Sequence, residues 1–324
     1  MNNYPNRYHN NRNNHYRNTG RSSNYHQPPR RIVSPEEQKF LAGTAIDPTP
    51  RIILENGSKE LTVRAMDLIC PIGMGQRGLI VASPGLGKTT FLKHICHATA
   101  KSCPDMKIYC LLIDERPEEV TDFRRNVTAE VHWSSMDQHY DNHIATADKV
   151  MNQAFKEASS GKNVMILVDS LTRLARVHNS QRSSGGRTMS GGIDAGALEV
   201  PRRIFGAARK IQDGGSLTII ATILVDTGSR MDDVIFEEFK GTGNMEIVLS
   251  KEIANRRIYP AIDIPATNTR KSELLLNPEE LKRVNLLRRG LAEMNKVEAM
   301  ESLIKLMQKY PTNNELLYSF KLID

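Results

Sequence analysis

Gly85, Leu86, Gly87, Lys88, Thr89 and Thr90 follow the apolar run Leu79-Ile80-Val81-Ala82 after Ser83 and Pro84. They precede a segment with apolar residues at Phe91, Leu92, Ile95 and Cys96. Two glycines in a strand-to-helix turn let backbone N–H groups converge on an anion at the positive end of the helix. Lys88 adds a point charge for β- and γ-phosphates, and the Thr89 hydroxyl adds a ligand for Mg²⁺. The pattern G-x-x-x-x-G-K-[ST] carries Ala82 at its first position here, one residue short of a full match. The chemistry that these residues suit is the binding of a nucleoside triphosphate.

Cleaving that triphosphate requires acids beside the loop. "VMILVDS" supplies Asp169 after an apolar run, and "CLLIDER" supplies Asp114 and Glu115 after another. In open α/β sheets, ligands gather where such strands end. Asp169 suits the water shell of Mg²⁺, and Glu115 suits the base that polarises the attacking water. Phosphoryl transfer also spreads negative charge that a guanidinium can meet. Arg116, Arg257 and Arg270 are candidates, although Arg270, in "ATNTRKSELL", reads by itself as a solvated basic residue in a polar turn.

These side chains need a sheet to hold them. The runs Leu79 to Ala82, Ile108 to Ile113, Val164 to Val168 and Leu217 to Val225 are short and rich in β-branched residues. Amphipathic stretches separate them, which predicts an α/β fold with a single core and a mostly parallel sheet covered by helices. Past the sheet, "NPEELKRVNLLRRGL" opens with Asn277 as N-cap, Pro278 at the first helical position and Glu280 closing a capping box. "TNNELLYSF" repeats the device with Thr312 and Glu315, so a small helical appendage is expected at the C-terminal end.

Composition bounds the class. A chain of 324 residues with 39% hydrophobic content has room for one or two domains. Its longest apolar stretch is interrupted by threonines and falls far short of the ~20 residues of a membrane span, and no signal core is evident. Cys70, Cys96, Cys103 and Cys110 form no C-x-x-C pair and suit a reduced cytoplasm. Six of the seven excess positive charges sit in residues 1 to 31, as Arg7, Arg12, Arg17, Arg21, Arg30 and Arg31. That stretch is Asn-rich, has no acid, and interleaves Tyr4, Tyr8, Tyr16 and Tyr25. Residues 1 to 33 are therefore expected to be a disordered basic tail. Its arginines and tyrosines either meet the phosphates and bases of single-stranded nucleic acid or serve only as a solubilising extension.

The segments "GQRGLIVASPGLGKT", "LLIDERPEEVTDF", "DSLTRLARVHN", "GGIDAGAL", "RRIFGAARKI", "GGSLTIIATILVDTGSRMDDVIFEEFKGTGNMEI" and "RRIYPAIDI" together resemble the Rho family of bacterial transcription termination factors. The resemblance covers roughly residues 60 to 320. It implies a RecA-like P-loop core over residues 34 to 324, acting as an ATP-dependent RNA translocase. In that reading six chains form a ring, single-stranded RNA lies in its centre, ATP is hydrolysed between subunits, and RNA polymerase is a further partner. The resemblance assigns Lys88 and Thr89 to phosphate and Mg²⁺, Glu115 to the catalytic water and Asp169 to the metal shell. Arg116 and Arg257 would meet the γ-phosphate, Arg270 would be a finger reaching the neighbouring subunit's site, and Tyr259 would stack on adenine. "GRTMSGGIDAG" matches a loop lining the RNA channel, with Arg187, Thr188, Ser190 and Gly191 as contacts; "DTGSRMDD" matches a second, with Arg230 as phosphate ligand.

Two departures accompany the resemblance. The family places an OB-type RNA-binding barrel before the core, and residues 1 to 50 cannot form one, so a truncated form is expected. Gly85 also stands where the family often has a second lysine. Alternatives to an active translocase are a regulatory paralogue that joins or blocks a full-length ring, and a DNA-strand-exchange or rotary ATPase on the same fold.

Overall fold

Strand runs that are apolar on both faces bury both faces, and they form the centre of the molecule. The computed structural model describes residues 33–182, 192–194 and 196–320. The strands are β1 (Ala45–Ile46), β2 (Arg51–Ile52), β3 (Ile72–Gly73), β4 (Arg77–Ala82), β5 (Lys107–Glu115), β6 (Glu130–Ser135), β7 (Asn163–Asp169), β8 (Arg209–Ile211), β9 (Ser216–Leu224), β10 (Met245–Val248) and β11 (Asn268–Thr269). The main sheet runs β11-β10-β4-β9-β7-β5-β6, with β8 pairing β9 and β1. From β10 to β6 every neighbouring pair is parallel, and β11 returns antiparallel along β10.

Twelve helices surround the sheets among the described residues: α1 (Pro35–Ala42), α2 (Leu61–Ile69), α3 (Lys88–Ser102), α4 (Pro117–Arg125), α5 (Tyr140–Ser159), α6 (Leu171–Arg182), α7 (Glu199–Gly206), α8 (Arg230–Lys240), α9 (Lys251–Asn255), α10 (Pro278–Ala292), α11 (Lys296–Lys309) and α12 (Asn313–Tyr318). Alternate residues of each strand serve opposite faces. Ile80, Cys110, Leu112, Met165 and Leu167 join α2, α3 and α9 to α12. Leu79, Leu111, Ile113, Ile166 and Val168 join α1 and α5 to α8. The expected single core is thus two cores, one on each side of the sheet.

The four strands expected from the sequence are present with ends shifted by a residue or two. β6 and β10 were not legible: β6 is a polar edge strand, and β10 is only four residues long. At α10, Asn277 Oδ1 accepts from the Glu280 N–H as expected. The Glu280 carboxylate does not return to the cap. It takes Arg51 Nη1 at 2.6 Å instead, because a guanidinium is a stronger partner than a backbone amide. Thr312 caps α12 through the Glu315 N–H.

A buried cation helps to fasten the C-terminal helices to the core. Arg64 of α2 donates to Asn313 Oδ1 at 3.1 Å and to the carbonyls of Met307 at 2.6 Å and Tyr310 at 2.9 Å. Glu55 lies 3.4 Å from its Nε. Replacing Arg64 with methionine leaves those acceptors buried and unpaired, so Arg64→Met should lower the unfolding free energy by about 3–5 kcal/mol. Urea denaturation measures this, and a loss below about 1 kcal/mol would show that the appendage does not depend on the contacts of Arg64.

Candidate active site

The chain leaves β4 at Ala82, turns through Ser83 to Gly87 and enters α3 at Lys88. Gly85 and Gly87 sit at φ +82° and +83°, in the left-handed region where side chains are disfavoured. A Cβ there would meet nothing within 4 Å, so conformation rather than space demands glycine. Gly87 is the N-cap of α3 and offers no side-chain acceptor, and the first turn carries no acid. The leading N–H groups of a fifteen-residue helix are thus left for an external anion. Leu86 is buried and anchors the loop, while Gly85, Gly87 and Thr90 are exposed.

Asp169 ends β7 and is fully buried. Thr89 Oγ1 donates to its Oδ2 at 2.7 Å, Thr222 Oγ1 of β9 donates to its Oδ1 at 2.7 Å, and Lys88 Nζ stands 4.0 Å from Oδ1. Among the described residues no cluster of three or more His, Cys, Asp or Glu side chains could cage a metal by itself. One hydroxyl and one carboxylate fit Mg²⁺, which keeps several waters and takes phosphate oxygens for the rest of its octahedron.

Glu115 owes its direction to an irregularity. Ile113 and Glu115 pair with the successive residues Ser134 and Ser135 of β6, leaving Asp114 as an extra residue at φ +55°. Such a bulge re-aims the side chain that follows. Glu115 is 2% exposed. Its Oε1 accepts from Arg173 Nη2 at 3.0 Å and from the Arg116 N–H at 3.1 Å, whereas Oε2 is buried with no hydrogen-bond partner among the described residues. Burial pushes its carboxyl above the ordinary range; the Arg173 charge opposes this, and nearby Asp169 adds to it. An ionisable, half-satisfied carboxylate at a strand end is equipped to hold and deprotonate a water.

Arg173 is the functional residue that sequence reasoning missed. From the first turn of α6 it also bonds the Asp114 carbonyl and lies 3.6 Å from the Asp114 carboxylate. A cation in the first turn of a helix opposes the helix dipole. That misplacement in "DSLTRLARV" was the signal available.

The remaining candidates are spread around the molecule. Arg116 is an exposed N-cap of α4 whose side chain reaches Glu119 at 3.5 Å. Arg257, exposed at φ +61°, and the half-exposed Tyr259 follow α9, past the carboxyl end of β10. β10 itself pairs β4 on the side opposite β9. Arg270 is not brought to the site. Its N–H donates to the Asn244 carbonyl, before β10 begins, so it lies at the amino edge of the sheet while the phosphate loop lies at the carboxyl edge. Arg230 is exposed at the start of α8. Arg187, Thr188, Ser190 and Gly191 lie outside the described residues, as does the tail apart from Val33.

Glu115 must be ionised to accept a proton, and Arg173 is the group that favours ionisation. Arg173→Ala should therefore move the acid limb of the ATPase pH profile toward higher pH, with turnover near neutrality falling more steeply than at alkaline pH. A profile lowered equally at all pH values would assign Arg173 to positioning alone.

Residues 62–268 match the ATP synthase alpha/beta family, nucleotide-binding domain. The transcription termination factor Rho of Rhodopirellula baltica is 50% identical over 85% of this chain and 54% of the relative. That of Haemophilus influenzae is 49% identical over 89% and 70%, and that of Karelsulcia muelleri 46% over 88% and 76%. The chain thus spans about half the length of the first relative and about three quarters of the other two. Among solved structures, an ATPase from the type III secretion system of pathogenic bacteria superposes with a TM-score of 0.71 at 25% identity, covering 89% of this chain and 88% of that one. An ATP synthase subunit, NeqB, from Nanoarcheaum equitans gives 0.66 at 19% identity, covering 78% and 64%, a likeness of fold. With a P-loop, a magnesium-type hydroxyl–carboxylate pair and a buried free glutamate oxygen on a RecA-like sheet, the chain belongs to the Rho family of transcription termination factors.

Proposed function

We propose that this chain is an RNA-dependent ATPase of the Rho type, translocating single-stranded RNA through a six-membered ring in transcription termination. The observation that carries the hydrolytic half of this reading is the buried Oε2 of Glu115, unpartnered among the described residues, on a carboxyl that the nearby Asp169 charge helps push upward. The backbone N–H groups from Gly85 to Thr89 and the Lys88 ammonium receive the β- and γ-phosphates. Thr89 would ligate Mg²⁺ directly and Asp169 through water; the ion supplies charge neutralisation to the phosphate oxygens. Glu115 Oε2 holds a water for in-line attack on the γ-phosphorus. As the new P–O bond forms and the bond to ADP breaks, Glu115 takes the proton of that water. Tyr259 stacks on the adenine, and Arg116 and Arg257 meet the γ-phosphate.

The position of Arg270 supports a site shared between chains. At ~3.3 Å per residue, the six residues of β4 separate it from its own phosphate loop by about 20 Å. It is available to a neighbour's triphosphate instead. The RNA half of the reading rests on the family, with Arg230 and the 187 to 191 segment as channel contacts. The tail of residues 1 to 33 gathers RNA weakly through its arginines and tyrosines. RNA polymerase is a further partner, and the cytoplasm is the proposed compartment. Among the described residues no helix is long and apolar enough to cross a membrane.

Glu115→Gln should leave ATP binding nearly intact and slow hydrolysis by about 10²–10⁴, since an amide orients water without taking its proton. Near-normal turnover would remove Glu115 from the base role. Arg270→Ala and Lys88→Ala chains, each inactive alone, should regain part of the RNA-stimulated ATPase when mixed, because each lends the other an intact half-site. A finger of this kind contributes about 10³–10⁵ in rate. No recovery in rings verified as mixed by mass would confine Arg270 to its own chain. Deleting residues 1 to 31 should raise the RNA concentration that half-saturates ATPase at low salt and flatten its salt dependence, leaving the maximal rate unchanged. An unchanged half-saturation and salt slope would make the tail a passive extension.

A further inference from the structure

β4 and β9 stay zipped to their last residues, where the Val225 N–H donates to the Ala82 carbonyl at 3.2 Å. One position further on, the two strands part. Ser83 opens the phosphate loop, and Asp226 opens the segment that leads to Arg230 and α8. Their side chains meet again beyond the ladder, with Ser83 Oγ donating to Asp226 Oδ2 at 2.7 Å. Ser83 is buried, and Asp226 adopts φ +55°, a left-handed conformation that aspartate tolerates better than most residues.

The other anchors of the 226–229 segment lead elsewhere. Thr227 Oγ1 donates to Asp232 Oδ2 at 2.6 Å, and Arg176 of α6 holds Asp232 from Nε at 2.9 Å and through Nη2. Just before the segment, the Leu224 N–H donates to Thr172 Oγ1 of α6 at 2.8 Å. These contacts fix the segment to α6 and α8. Among the described residues, Ser83 to Asp226 is the only side-chain hydrogen bond between the phosphate loop and this segment.

We infer that Ser83 and Asp226 are a positioning pair through which occupancy of the phosphate loop sets the position of the segment bearing Arg230. The inference rests on the proposed reading that Arg230 meets RNA. Coupling between two sites requires a contact that differs between their states. A short hydroxyl-to-carboxylate bond is strongly distance-dependent, so a small shift of the phosphate loop as it closes on a triphosphate changes this bond more than any packing contact. Neither residue touches phosphate or RNA in this scheme. Ser83 acts through Asp226, and Asp226 acts by fixing where the chain leaves β9.

The test measures the affinity of a single-stranded homopolymer RNA with and without a saturating non-hydrolysable ATP analogue and Mg²⁺. The ratio of the two affinities is the coupling factor. Ser83→Ala and Asp226→Ala should each bring that factor about threefold to tenfold closer to one. The double variant should lose no more than either single one, because both remove the same bond. Ser83→Thr keeps the hydroxyl and should keep the coupling, which a general loss of folding in this region would not allow. Full coupling in both single variants, or losses that add in the double variant, would overturn the inference while leaving the RNA reading intact. RNA binding without coupling in the unaltered chain would overturn the inference alone, and absence of RNA binding would overturn both.

Discussion

The site is organised around a carboxylate that has no access to water. Asp169 is fully buried at the end of a central strand, and an ion in such a place is costly unless its lone pairs and charge are met. Two threonine hydroxyls from different elements meet it, and an ammonium stands 4.0 Å away. These contacts tie the first turn of α3 and the end of β9 to the end of β7. The phosphate loop is therefore positioned from below by the sheet, not only by the two strand and helix ends that it joins. Removing either hydroxyl would leave the carboxylate underpaired, so the P-loop helix and the sheet edge are one interdependent unit.

Glu115 is handled in the opposite way. Asp169 has a partner for each oxygen, whereas Glu115 has partners for one oxygen only. The bulge at Asp114 supplies the direction, and Arg173 supplies the charge that keeps a buried carboxyl ionisable. A saturated carboxylate would make a good structural anchor and a poor base. The division between the two acids matches the division of labour between holding a cation shell and taking a proton.

Much of this was legible because the chemistry is local in sequence. The P-loop lies within six consecutive residues, and Asp169 and Glu115 each end an apolar run. β9 was legible even though threonines interrupt it. Thr218 accepts the Gly75 N–H at 2.8 Å, and Thr222 donates to Asp169, so its polar groups are paired inside a fully buried strand. What could not be read was long-range. Arg173 stands 58 positions from Glu115, and its role depends on α6 packing over the end of β5. The bulge at Asp114 depends on a register with β6, a strand too polar to recognise. The exchange of the Glu280 capping contact for Arg51 joins residues 229 apart in the chain. Each miss is a partner supplied by tertiary structure to a residue whose own type was informative.

The placement of Arg270 carries a consequence for assembly. Within one chain, the phosphate loop and Arg270 sit at opposite edges of the same parallel sheet, so no side-chain motion brings them together while the sheet is intact. If Arg270 answers the charge that develops in the transition state, the chain that binds ATP and the chain that completes its site differ. Repeating that relation head to tail makes each subunit donor to one neighbour and acceptor from the other, which is a heterologous interface that closes as a ring or continues as a filament. A closed ring alone gives every site both halves, and it does so around a central axis. In the proposed ring, hydrolysis at one interface would move two chains relative to each other, which is the mechanical requirement for passing a polymer along that axis.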